Sequence, residues 1–144
     1  MDTAELKRRR EASRRFTAEE DGLSFTLLRP TTTQSIGLRD LAREVGESAR
    51  QVGEGDSARL LLGEAEFERL SEAVVDYAVD WSGVTEGHLV EGGGAEAVAY
   101  DTDLLRDLLA DRPALADRLL GRLIDAADRY LQRLQDEKKA SANG

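Results

Sequence analysis

A mainly helical small domain is the fold class the sequence predicts, with about four helices, a short N-terminal strand or hairpin and a mobile basic N-terminal arm. Three observations lead there. Apolar residues recur at steps of three and four over the longer stretches, the spacing that gathers them on one face of a helix. One segment, Ser24-Phe25-Thr26-Leu27-Leu28-Arg29, is instead rich in strand formers and is closed by Pro30. The first 22 residues hold almost nothing apolar beyond Leu6 and Phe16, so residues 1–22 are expected to be a flexible arm, with 1–16 dispensable for folding. With 144 residues the chain is most simply one domain, placed at 23–138, and domains near that size bury roughly 68% of the surface of the unfolded chain. Residues 139–144 are expected to be a disordered tail.

Taken in order, the strand at 24–29 either stands alone as an extended edge or turns at Pro30 into a hairpin whose return is Ser35 to Leu38. Thr31-Thr32-Thr33 argues against an immediate helix. From about Gly37 to Val52, Leu38, Leu41, Ala42, Val45, Ala49 and Val52 keep a period near 3.6, with Arg39, Arg43, Glu44, Glu47 and Arg50 on the other face. Gly53 to Ser57 reads as a turn and Leu60-Leu61-Leu62 as a helical turn over the core. A second helix is expected from about Glu64 to Asp80, ended by Ser82-Gly83, because Phe67, Leu70, Val74, Ala78 and Trp81 continue one stripe. Trp81, the only tryptophan, is then a buried anchor at a helix end.

Residues 82–99 contain five glycines, and this glycine-rich loop is either an irregular hairpin or a flexible linker. At Asp101 the pattern sharpens. An N-cap there puts Tyr100 and Leu105 in the positions of a hydrophobic staple. Leu104, Leu105, Leu108 and Leu109 form a short helix, and Pro113 ends it while opening the last one, expected to run to about Lys138. Trp81, Tyr100, Leu105 and Pro113 are the expected structural anchors. The apolar stripe of the last helix is wide, so a strip including Leu123, Tyr130, Leu131 and Leu134 is expected to stay exposed as a partner-binding surface. The plainer reading of the same face is intramolecular core.

Charge narrows the function. The net charge is −9, but residues 1–16 carry six basic and three acidic groups and the remainder fourteen and twenty-six, a +3 arm before a −12 body. An acidic body repels phosphate backbones, which disfavours nucleic acid as a partner of the folded part. There is no cysteine, so a thiolate metal site and a disulfide framework have no residues to draw on, and the one histidine, His88, sits in the glycine-rich loop, which argues against a histidine-based triad. The carboxylate pair Asp101 and Asp103 reads better as helix capping than as an acid and base, and Gly92-Gly93-Gly94 lacks the Lys-Ser/Thr of a phosphate cradle. No apolar run reaches membrane-span length. The expectation is therefore a non-enzymatic protein of the cytoplasm, without cofactor.

Trp81-x-Gly83-Val84, the glycine-containing loop, Tyr100, Leu104, Leu108-Leu109, Pro113 and Leu115 together resemble the tail assembly chaperones of long-tailed bacteriophages, over roughly residues 74–124. Phe25-Thr26-Leu27-Leu28-Arg29-Pro30 is similar to the extended entry into the helical part of such proteins. The resemblance implies a helper of virion assembly in the host bacterial cytoplasm that binds the tape-measure protein and recruits tail-tube subunits. The competing readings are a structural virion protein of the head-tail connector or tail-completion type, and a small regulator that binds nucleic acid through its basic arm.

Overall fold

The computed structural model describes residues 2–52 and 64–143, so the expected turn at 53–57 and the Leu60-Leu61-Leu62 turn lie outside the described residues. The fold begins with a chain reversal. Asp21 and Gly22 both have positive φ, 56° and 77°, the two-residue turn whose twist matches that of paired strands. It joins β1 (Arg15–Glu20) to β2 (Leu23–Leu28), with Glu20 opposite Leu23 and Arg15 opposite Leu28. A third strand, β3 (Ala78–Ser82), pairs antiparallel along the other edge of β2 and places Trp81 opposite Phe25. Residues directly opposite share a face. Phe16, Ala18, Leu23, Phe25, Leu27 and Trp81 therefore line one side of the sheet, all but the half-buried Phe16 fully buried.

This sheet overturns the expected fold class. The chain is mixed α/β, with helices in the majority. The N-terminal segment is not a mobile arm: Thr3–Arg14 forms α1, capped by the Asp2 side chain, and the residues after it form an edge strand. Ion pairing holds that edge. Glu20 meets Arg118 and Arg122 at 3.1 Å each, Asp21 meets Arg118 at 2.5 Å, and Arg122 donates to the Glu19 carbonyl.

The return of a hairpin at Ser35–Leu38 is also absent, since those residues lie in α2 (Thr32–Val52). The threonines start this helix instead of delaying it. Thr31 Oγ1 accepts from the Gln34 N–H at 3.1 Å and Gln34 Oε1 accepts from the Thr31 N–H at 3.0 Å, which is a reciprocal capping box. The next helix, α3 (Glu64–Val75), stops before Tyr77, and Ala78 to Ser82 form β3. The step of three and four from Phe67 to Trp81 therefore crosses two elements. Val79 and Trp81 suit a strand, and the open edge of β2 supplies the hydrogen bonds that a fourth helical turn would have made internally.

The glycine-rich segment is built, not loose. Thr85 precedes a one-turn helix, α4 (Glu86–Leu89), and bridges to Ala97. Then come α5 (Thr102–Asp111) and α6 (Pro113–Asn143), which continues past the expected end at Lys138 through most of the expected disordered tail. Asp101 caps α5 by accepting from the Leu104 N–H at 3.0 Å. Against α6 pack α2, α3, α5 and β1. Leu115, Ala116, Leu119, Leu120, Leu123 and Ala127 form its buried stripe.

A test of this loop follows from Gly93. A β-carbon there would lie 2.9 Å from backbone atoms of Glu86 and Val90, and rigid backbone has no side chain to swing aside. Gly93→Ala is expected to lower stability by about 1 to 3 kcal/mol, read by urea denaturation, whereas a flexible linker would tolerate the change.

Candidate functional site

Of the four residues expected to form a partner strip, the structure keeps three together at the surface. Leu123 is 0% exposed and belongs to the core, so it leaves the strip: the sequence cannot show at which turn of a long helix the neighbouring elements end. Tyr130 and Leu131 are half-buried, and Leu134 is 40% exposed. From Gln132 to Ala142 every residue of α6 is exposed, a length of roughly 16 Å at the usual helical rise. A helix of that length gains little from propensity alone and ordinarily draws its stability from packing.

The neighbours of this end are fixed by charge. The Arg29 guanidinium lies 3.6 Å above the Tyr130 ring, and that of Arg133 lies 5.7 Å from the ring centre on the same helix. Arg39 of α2 pairs with Asp128, which sets the first half of α2 beside this part of α6. Ile36, 59% exposed, sits on that half of α2. Neither Ile36 nor Arg29 was legible as part of the site, because only the fold brings Arg29 onto the Tyr130 ring and sets α2 beside α6.

The expected anchors hold the opposite part of the molecule. Trp81 is 7% exposed, donates from Nε1 to the Val98 carbonyl at 2.8 Å, and meets Tyr100 edge-on at 5.3 Å between ring centres. Tyr100 in turn donates to the Ala78 carbonyl, Leu105 is fully buried, and Pro113 is the first residue of α6. Trp81, Tyr100 and Leu105 are thus joined away from the strip, and of the residues that carry the family resemblance Arg29 reaches it, through the Tyr130 ring. Trp81 anchors a strand, not a helix end.

Groups with chemical potential are engaged structurally. His88 Nδ1 accepts from the Thr85 N–H at 2.8 Å, and the His88 carbonyl accepts from Arg112. Asp101 caps α5, and Asp103 pairs with Arg106 at 2.8 Å. A hollow of about 470 Å³ between α3 and α5 is lined by Phe67, Ser71 and Arg106, whose guanidinium is held by Glu72 at 2.6 Å. Among the described residues no group of three or more His, Cys, Asp or Glu is placed to hold a metal ion. Nor is any helix among them long and apolar enough to cross a membrane.

No family model, curated protein or solved structure matches the chain. The class that the fold defines is a helix-dominated α/β domain with a three-stranded antiparallel sheet packed on one long helix.

Proposed function

We propose that this protein is a non-enzymatic assembly chaperone that holds a helical client along the exposed end of α6. The observation that carries the reading is that α6 leaves the body after Leu131 with an apolar residue still ahead of it, Leu134. Leu131 and Leu134 are one helical turn apart on one side, the spacing that a client helix reads as an anchor pair. Binding without catalysis is supported by the engagement of His88, Asp101 and Asp103 in local structure. The resemblance to tail assembly chaperones names the client: the tape-measure protein of a long-tailed phage, around which tail-tube subunits are recruited in the bacterial cytoplasm.

Co-expression tests this. With the intact chain, an otherwise insoluble tape-measure fragment is expected in the soluble fraction. Leu131→Asp with Leu134→Asp is expected to return it to the pellet while the far-ultraviolet circular dichroism of the variant stays unchanged. A variant that protects as well as the parent chain contradicts the proposal. Recovery of the chain from purified virions, without binding to tape-measure or tube protein, replaces it with a structural role in the particle.

A further inference from the structure

In a chain of net charge −9, most arginines of the helical body have carboxylate partners. Arg39, Arg43, Arg69, Arg106, Arg118 and Arg122 are each paired. Among the described residues several others are not, and five of these share one place. Arg14, Arg15, Arg29, Arg129 and Arg133 line one pocket of about 310 Å³ where the α1–β1 junction, the end of β2 and α6 meet. The remaining lining residues are Ser13, Phe16 and Ala126, so no carboxylate lines it. None of the five arginines has a carboxylate partner among the described residues.

Two of them are held in place by other means. Arg14 donates from Nε to the Arg29 carbonyl at 2.8 Å and reaches Gln34. Arg29 donates to the Pro30 carbonyl and stacks on Tyr130. Burial lowers the Arg29 guanidinium from its ordinary value, opposed by Tyr130 and reinforced by Arg14, Arg10 and Arg133. Like charges gathered this way repel, and the repulsion is relieved when an anion enters.

We propose that this arginine pocket is a docking site for an acidic segment of a protein partner, a contact that adjoins the Leu131 and Leu134 strip through Tyr130 but does not depend on the chaperone assignment. Guanidinium forks pair bidentately with carboxylates, and several placed side by side suit a segment with neighbouring Asp or Glu residues. On the α6 side the surroundings argue against a nucleic-acid strand, although Arg9 and Arg10 of α1 leave the other side basic. Asp125, Asp136 and Glu137 stand within about one turn of Arg129 or Arg133, so a phosphate chain running on along α6 meets negative charge, whereas a short acidic segment ends inside the pocket.

The test is fluorescence anisotropy of the full chain with a labelled glutamate-rich peptide, a lysine-rich control peptide and a charge-matched single-stranded oligonucleotide. The glutamate peptide is expected to bind, and to bind less tightly as ionic strength rises from about 50 to about 300 mM. Arg129→Gln with Arg133→Gln is expected to weaken it by about tenfold or more, with an unchanged melting temperature, whereas Arg43→Gln, an exposed arginine outside the pocket, leaves binding as it was. Absence of binding, or equal binding by the double variant, overturns the proposal. Tighter binding of the oligonucleotide than of the peptide, lost in the same double variant, overturns it in favour of a phosphate-backbone site. Failure of the co-expression assay alongside arginine-dependent peptide binding would remove the chaperone reading and leave the pocket standing.

Discussion

Trp81→Ala is expected to cost about 3 to 5 kcal/mol in urea unfolding followed by circular dichroism. The side chain is 7% exposed, sits across the ladder from Phe25 and bonds through Nε1 to the Val98 carbonyl. Removing it opens a cavity between the sheet and the 84–100 segment and leaves that carbonyl without its donor. Trp81→Phe keeps an aromatic ring against Tyr100 and loses mainly the hydrogen bond, so its cost is expected near 1 to 2 kcal/mol, roughly the value of one buried carbonyl left unpaired. A domain of this kind is stable by about 5 to 15 kcal/mol in all, so the alanine variant should be visibly weakened at room temperature. A loss below about 1 kcal/mol would mean that β3 is not anchored through this residue.

A truncation series is expected to show a sharp step inside the N-terminal segment. No residue of α1 is buried, so removal of residues 2–13 is expected to change stability by less than about 0.5 kcal/mol. Removal of residues 2–20 takes away β1, and with it the ladder to β2, the buried Ala18 and the contacts of Glu20 with Arg118 and Arg122. That loss should exceed about 4 kcal/mol and leave Phe25 and Leu27 on an open edge, prone to association. The expectation that residues 1–16 are dispensable is thereby narrowed: a cut at 16 already takes the Arg14 bond to the Arg29 carbonyl and the strand partners of Leu27 and Leu28. Equal melting temperatures for the two truncations would contradict the role given to β1.

The helices with strong periodicity and clear caps were legible. Asp101 with Tyr100 and Leu105, and Pro113 as a first helical residue, depend on neighbours close in sequence, where local chemistry decides. β1 was not read, although Asp21-Gly22 is a strong hairpin signal and Phe16 and Ala18 alternate ahead of it. Its low apolar content concealed it, because the strand is held as much by ladder hydrogen bonds and by the arginines of α6 as by burial. Thr31-x-x-Gln34 was likewise a readable start signal, obscured by the low helix propensity of threonine in other positions. Periodicity misled at Trp81, where steps that fit a helix happened to span a helix and a strand.

For the candidate site, the width of the α6 stripe pointed to the right helix but not to where its core-facing part ends. Leu123 fell on the buried side of that boundary and Leu134 on the exposed side. The arginine pocket had no local signature. Arg14, Arg29 and Arg133 are brought together by the pairing of β1 with β2 and the packing of β1 on α6, which sequence spacing does not display.

Amide hydrogen exchange of the full chain with and without the tape-measure client tests the client-binding claim most directly. In the free chain, the amides of residues 132–142 are expected to exchange within the fast phase, because among the described residues none buries that end of α6. Addition of the client is expected to slow exchange from about Tyr130 to Ala142 while β1, β2 and β3 keep the protection they had. Unchanged exchange over 130–142 under conditions where the client is bound, or protection confined to the sheet, would contradict α6 as the client-binding element.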